Sequence, residues 1–287
     1  MVRASVSFVC LLLTGCGESP VWIGPPVPDA PAIALARPAP ARSGNGRVAG
    51  RVYGVGAIPK VEDFYTAFVS ADFRPIHEIR PNPLRPRIDP ATLAVAGAWI
   101  STPVAESPID EAATLDIRID DDRIGFPDRP PGSVFAVVAP GTIARIRSTG
   151  TRFQMLRGTG IDEFTVPLMR DGSGARRAFL RPDLIELTNP AGAWWQRAWV
   201  VVGSPAHNCI SDTTGHYELT GVSPGRREIV VRLPHPGVRT QDRNPDVGSI
   251  VRMWYRPMIE IRTSVDVPET GTVTLDLPID LKLTTAP

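Results

Sequence analysis

The sequence predicts an all-β protein, organised as two β-sandwich units after a signal peptide and a flexible tether. Apolar residues fall in short runs separated by proline and glycine, with 31 Pro and 25 Gly in 287 residues. The runs are strand-sized and recur with turn signals between them, the pattern of a sandwich. No long window carries the 3.6-residue apolar stripe of an amphipathic helix. Arg47–Tyr53 alternates apolar and polar residues and reads as the first strand. The stretch from Phe73 to Pro90 holds five prolines and is expected to be an irregular loop, since proline cannot donate to a sheet ladder. Ala94–Ile100 and Leu115–Ile119 are the next apolar runs, and Val134–Ala139 and Thr142–Ser148 flank a turn at Pro140-Gly141. Phe164–Leu168, Leu184–Leu187 and Trp199–Val202 follow. Tyr217–Leu219, Glu228–Leu233, Met258–Ile261 and Val273–Leu277 complete the set. The expected division is a signal at 1–15, a tether at 16–46, one sandwich at 47–199 and a second at 200–287.

The N-terminus has the parts of a bacterial lipoprotein signal. Arg3 precedes an apolar segment from Ala4 to Leu13, and Leu13-Thr14-Gly15-Cys16 has the small residues and spacing of a lipobox. A ten-residue segment is too short to span a bilayer, which needs about 20, so it reads as a processed signal with Cys16 lipidated at the mature N-terminus. Gly17 in place of Asp favours the outer membrane over the outer face of the cytoplasmic membrane by resemblance to sorting patterns. From Glu18 to Arg42 proline and alanine alternate without a structural period. That composition favours an extended tether, at about 3.1 Å per residue.

A net charge of +1 gives no global field to steer nucleic acid or anionic lipid. Lys60 and Lys282 are the two lysines, so the basic side is almost all arginine, which reads as compositional bias with solvated positions such as Arg145, Arg147, Arg176, Arg177, Arg226 and Arg227. Of three cysteines, Cys10 leaves with the signal and Cys16 is modified, which leaves Cys209 with no internal disulfide partner. A buried, inert thiol is the expected state.

Candidate chemistry is sparse. His207, Cys209, His216 and His235 form the His/Cys concentration of the chain, with His207 and Cys209 on one face of a strand, but their spacing matches no structural zinc pattern. Ser204, His207 and Asp212 are triad residue types crowded onto one hairpin without a nucleophile elbow. Asp120-Asp121-Asp122 lacks the alternating ligands of a calcium loop and reads as a solvated strand end. Trp194 and Trp195, with Trp199, could stack on a sugar ring; alternation buries Trp195 and Trp199 and turns Trp194 the other way. Trp194, Trp195, His207 and Cys209 are thus the binding candidates, with no catalytic residue, metal or cofactor expected.

Ile210-Ser211-Asp212-Thr213-Thr214-Gly215-His216-Tyr217, then Leu219-Thr220-Gly221-Val222-Ser223-Pro224-Gly225 and a strand, resembles the carboxypeptidase regulatory-like domain, a small transthyretin-like sandwich. The resemblance implies a domain without the peptidase's zinc site, one that binds, stabilises or spaces. Gly50-Arg51-Val52, Asp89-Pro90-Ala91-Thr92 and Pro140-Gly141-Thr142 resemble envelope proteins that join a cupredoxin-like sandwich to such a domain. That resemblance implies copper ligands where this chain has Phe153-Gln154, Thr188-Asn189 and Ala191–Gln196. None of these is His, Cys or Met, and blue copper needs two imidazoles and a thiolate. A degenerate, metal-free sandwich is therefore expected, with Met155 and Met169 as core fillers. The resulting expectation is a membrane-anchored, non-catalytic binding or structural module, with an envelope protein or a glycan as partner and no nucleic acid. The alternatives are a carbohydrate-binding accessory protein and a metal or redox protein using His207 and Cys209.

Overall fold

A computed structural model of the protein describes residues 45–69, 75–103, 113–130, 132–169, 174–243, 245 and 250–284. The signal, Cys16 and nearly all of the tether lie outside the described residues. What is described is all-β, with a short 3-10 turn at Leu281–Thr284 and no helix long and apolar enough to cross a membrane.

One sandwich spans residues 114–202. Its first sheet orders Ala175–Phe179, Thr142–Ser148, Thr114–Ile119 and Ile124–Gly125; its second orders Phe164–Leu168, Gln154–Thr159, Asp183–Thr188, Arg197–Val202 and Phe135–Val138. In Thr142–Ser148 strict alternation sends Ala144 and Ile146 inward and Arg145 and Arg147 to solvent. Leu115, Ile117 and Ile146 from one sheet meet Leu156, Leu187 and Val200 from the other in a single apolar core. Arg197–Val202 is buried on both faces: Ala198 and Val200 enter that core, while Trp199 and Val201 enter an aromatic cluster with Phe135, Trp195 and Trp99.

The second sandwich draws on both ends of the described chain. Asn45–Val55 runs antiparallel to His216–Val222 and parallel to Thr270–Thr274 and then Leu277–Asp280. Leu275 and Asp276 join those two C-terminal strands. Tyr217 Oη donates to Leu275 O (2.6 Å), and the Arg51 N–H donates to Asp276 Oδ1 (3.0 Å). Gly50 fits there because a Cβ would lie 2.0 Å from Leu275 O. The facing sheet orders Asn208–Ile210, Trp99–Ser101, Gly225–Leu233 and Ile259–Val267. Val48, Val52, Ile100, Tyr217, Ile229 and Ile279 pack between the two sheets.

This pairing departs from the consecutive division at 199/200. The strand Asn45–Val55 and the strand Trp99–Ser101 complete the sandwich of the C-terminal strands, and residues 114–202 form the other sandwich between them. Periodicity tells which face of a strand is apolar and is silent on which sheet receives it. The expected loop at 73–90 also differs. Pro75–Arg80 pairs with Phe64–Val69, and Arg87–Ile88 with Val95–Ala96. Pro75 is the first residue of its strand in a two-stranded ribbon, a position that proline tolerates.

Candidate functional site

The turn after Ile210 forms as its residues dictate. Asp212 Oδ1 accepts from the Thr214 N–H (2.8 Å), Thr214 Oγ1 (2.7 Å) and the His216 N–H (2.9 Å), and Gly215 sits at φ +77°. Burial opposes ionisation of Asp212, but these hydrogen bonds outweigh it and hold the carboxyl below its ordinary range. The two arms of the turn enter different sheets, Asn208–Ile210 beside Trp99–Ser101 and His216–Val222 beside Asn45–Val55.

The His/Cys candidates do not converge. His207 precedes the strand, in a turn where its N–H donates to Ser204 O (3.0 Å) and its Nδ1 lies 3.3 Å from Thr102 Oγ1. Burial lowers its pKa. Cys209 is half-buried against the second core rather than fully buried as expected, and its desolvation pushes the thiol up to about 12. His235 is buried and its Nδ1 accepts from the Gly237 N–H (2.9 Å), while His216 is exposed. Among the described residues no three His, Cys, Asp or Glu side chains are placed to hold a metal ion. Asp212 is consumed by its own turn and is not joined to Ser204 and His207 as a triad.

Trp195 is 1% exposed and its Nε1 donates to Asp122 O (3.0 Å), so it cannot serve as a stacking platform for a ligand from solvent. Trp194 is half-buried, edge-on to Trp195 (5.3 Å between rings, 88°) and to Phe64 (5.4 Å, 65°).

The three places where a copper set was implied do meet, as a buried amide network. Asn189 Nδ2 donates to Gln154 Oε1 and to Gln196 Oε1 (2.9 Å). Asn189 Oδ1 accepts from the Ala191 N–H (3.1 Å) and the Met155 N–H (3.3 Å). Gln196 Nε2 donates to Asp120 O (2.8 Å) and Gln154 Nε2 to Asp121 Oδ1 (2.9 Å). All three amides are at most 3% exposed. Both donors and the acceptor oxygen of Asn189 are thus engaged, which makes the network a structural lock between the strand ends and the 120–122 turn. Each aspartate of that turn is engaged too. Asp120 Oδ1 accepts the N–H groups of Asp122 and Arg123, Asp121 accepts from Thr151, and Asp122 pairs with Arg80. Met155 is half-buried and Met169 is exposed rather than a core filler.

Beside this lock lies a cavity of about 650 Å³ that sequence reasoning missed. Residues 81–87, 123–130 and 132–134 and the strand Thr114–Ile119 contribute to its wall, which carries Arg85, Arg87, Arg118, Arg123, Arg129 and Arg197 against two acids, Asp120 and Asp122. Pro83, Pro86, Ile124 and Phe126 supply an apolar side. Burial, and then the charge of Arg123, lowers the pKa of Arg87, which marks crowded cations. The size and the mixed lining are those of a small-molecule site. The available signal was arginine alternating with proline in two loops about forty residues apart, Arg85-Pro86-Arg87 and Pro127-Asp128-Arg129-Pro130.

No family model matches the chain, and a search of curated proteins finds no match. Among solved structures, the chain is similar to a chain in the cryo-EM structure of a heme-copper terminal oxidase dimer, at 11% identity and a TM-score of 0.27, over 36% of this chain and 78% of that one.

Proposed function

We propose that this chain is a lipid-anchored protein of the bacterial cell envelope whose folded part acts by binding rather than by catalysis. The arginine-lined cavity carries the reading, because it concentrates unlike chemistry, guanidinium forks and an apolar wall, on one concave surface. The Leu13–Cys16 pattern supports an anchor at Cys16, with the Pro/Ala-rich segment as a spacer. In this reading the sandwich that contains Asp212–Gly215 is carboxypeptidase regulatory-like and the 114–202 sandwich is a cupredoxin-like scaffold in which amides replace ligands. Both serve as rigid supports for the loops around the cavity.

The test equilibrates the full chain, purified in a non-ionic detergent, with a hexose, a hexuronate and a hexose phosphate. Retention of an acidic member, lost on Arg118→Ala and without turnover, supports the reading. Conversion of any member to product, or retention of none, contradicts it.

A further inference from the structure

We infer that the arginine-lined cavity recognises a phosphate monoester carried on a compact organic group. This rests on the binding reading above and names the ligand class.

The charge is concentrated and only partly compensated. Arg85 pairs with Asp63 (2.6 Å) and Arg197 with Glu186 (2.7 Å), but Arg123 approaches Asp120 only to 3.8 Å. The Arg118 side chain has no hydrogen bond or ion pair among the described residues, although it lines the cavity. Arg129 donates one Nη to Val137 O (2.9 Å), and its Nε is buried without a partner, as is Arg197 Nε. Asp122, one of the two acids in the wall, is already held by Arg80. Like charges gathered beside a low-dielectric wall repel one another, and a bound anion removes that repulsion.

Guanidinium forks match both carboxylate and phosphate oxygens. The number of cations decides between them. A phosphate monoester brings a charge of about −1.5 to −2 and three acceptor oxygens, enough to satisfy Arg118, Arg123 and Arg129 together, whereas one carboxylate brings a single charge and two oxygens. A phosphate alone would leave most of a 650 Å³ space and its proline and phenylalanine wall unfilled, so the phosphate is carried on an organic body. Arg129 is already tethered to a backbone carbonyl and needs little further ordering on binding, whereas the exposed Arg118 side chain is ordered by the ligand. The same chemistry is offered by a soluble sugar phosphate and by a lipid headgroup bearing a terminal phosphate.

The experiment is isothermal titration of the full chain in dodecyl maltoside micelles at low salt, with α-glucose 1-phosphate, glucuronate and glucose, and a parallel titration with mixed micelles of phosphatidic acid. Glucose 1-phosphate, phosphatidic acid or both are expected to bind at least tenfold more tightly than glucuronate, and the stronger of the two assigns the source. Arg118→Ala and Arg123→Ala should each weaken that binding at least tenfold, Arg118→Lys should weaken it less, and Arg145→Ala, on the exposed face of the first sandwich, should leave it unchanged. Glucuronate binding as tightly as the phosphates would overturn the phosphate assignment while leaving a binding module. Absence of binding by every acid would overturn both readings, and equal losses with Arg145→Ala and Arg118→Ala would show diffuse charge attraction instead of a site.

Discussion

Replacing Gly215 by valine should destabilise the fold severely, because the position is closed to a side chain twice over. At φ +77° a β-branched residue is strained, by about 1–3 kcal/mol. A Cβ would also stand 2.4 Å from Val52 O, so the turn must move away from the strand Asn45–Val55. That motion strains the bond from the Val52 N–H to Gly215 O, now 2.8 Å, whose loss costs about 0.5–1.5 kcal/mol. Together these give about 2–4 kcal/mol. A fold of this size loses about 2–4 °C per kcal/mol, so the melting temperature should fall by about 4–16 °C. The neighbouring His216 is exposed, and His216→Ala should change stability by no more than about 0.5 kcal/mol. Circular-dichroism melts of the two variants beside the wild type decide it. A Gly215→Val protein that melts with the wild type, or a His216→Ala protein that melts far below it, would refute this reasoning.

Asn189→Ala leaves the Gln154 and Gln196 oxygens buried without their donor and should cost about 2–4 kcal/mol, with Gln196→Ala added for less than the sum; additive denaturation midpoints would argue against one network. Cys209, with its thiol held up to about 12, should resist iodoacetamide at pH 8 in the native protein and react once unfolded in urea, and stoichiometric labelling of the native chain within minutes would contradict the raised pKa. The folded-state pKa of Asp212 lies below its unfolded value, so its contribution to stability is present above the ordinary carboxylate range and lost as pH falls through the folded pKa. Urea midpoints across that acid limb should fall less steeply for Asp212→Asn, and an unchanged slope would show that the turn does not use the charge.

Much of the fold was legible because strands with one buried face write their period into the sequence. Ala144-Arg145-Ile146-Arg147 alternates apolar and polar, and Thr142–Ser148 and Phe164–Leu168 occur with the expected bounds. The Asp212–Gly215 turn was legible because its chemistry is local. Gln154–Thr159 was not, since Gly158 leaves its place to the Phe164 ring of the neighbouring strand and the adjacent Met155-Leu156 pair carries no alternation. Ala175–Phe179 buries only Phe179, with Arg176 and Arg177 at its centre. The recruitment of Asn45–Val55 and Trp99–Ser101 into the C-terminal sandwich is a long-range pairing that no local pattern encodes. The cavity was missed for the same reason: Arg118 and Arg197 stand on separate strands and Arg85, Arg123 and Arg129 in separate irregular segments, and they become a cluster only when the fold brings these segments together.

Co-sedimentation tests most directly whether one polypeptide joins a lipid anchor at Cys16 to an anion-binding cavity. The full chain, produced in a lipidating bacterial host, is incorporated into phosphatidylcholine vesicles, mixed with radiolabelled glucose 1-phosphate at low salt and pelleted. For a soluble phosphate ester, wild-type protein and ligand should pellet together. Cys16→Ala should leave both in the supernatant, and Arg118→Ala with Arg123→Ala should pellet the protein without the ligand. Cys16→Ala protein that still pellets, or ligand that pellets with the double arginine variant as it does with the wild type, would contradict that union of anchor and site.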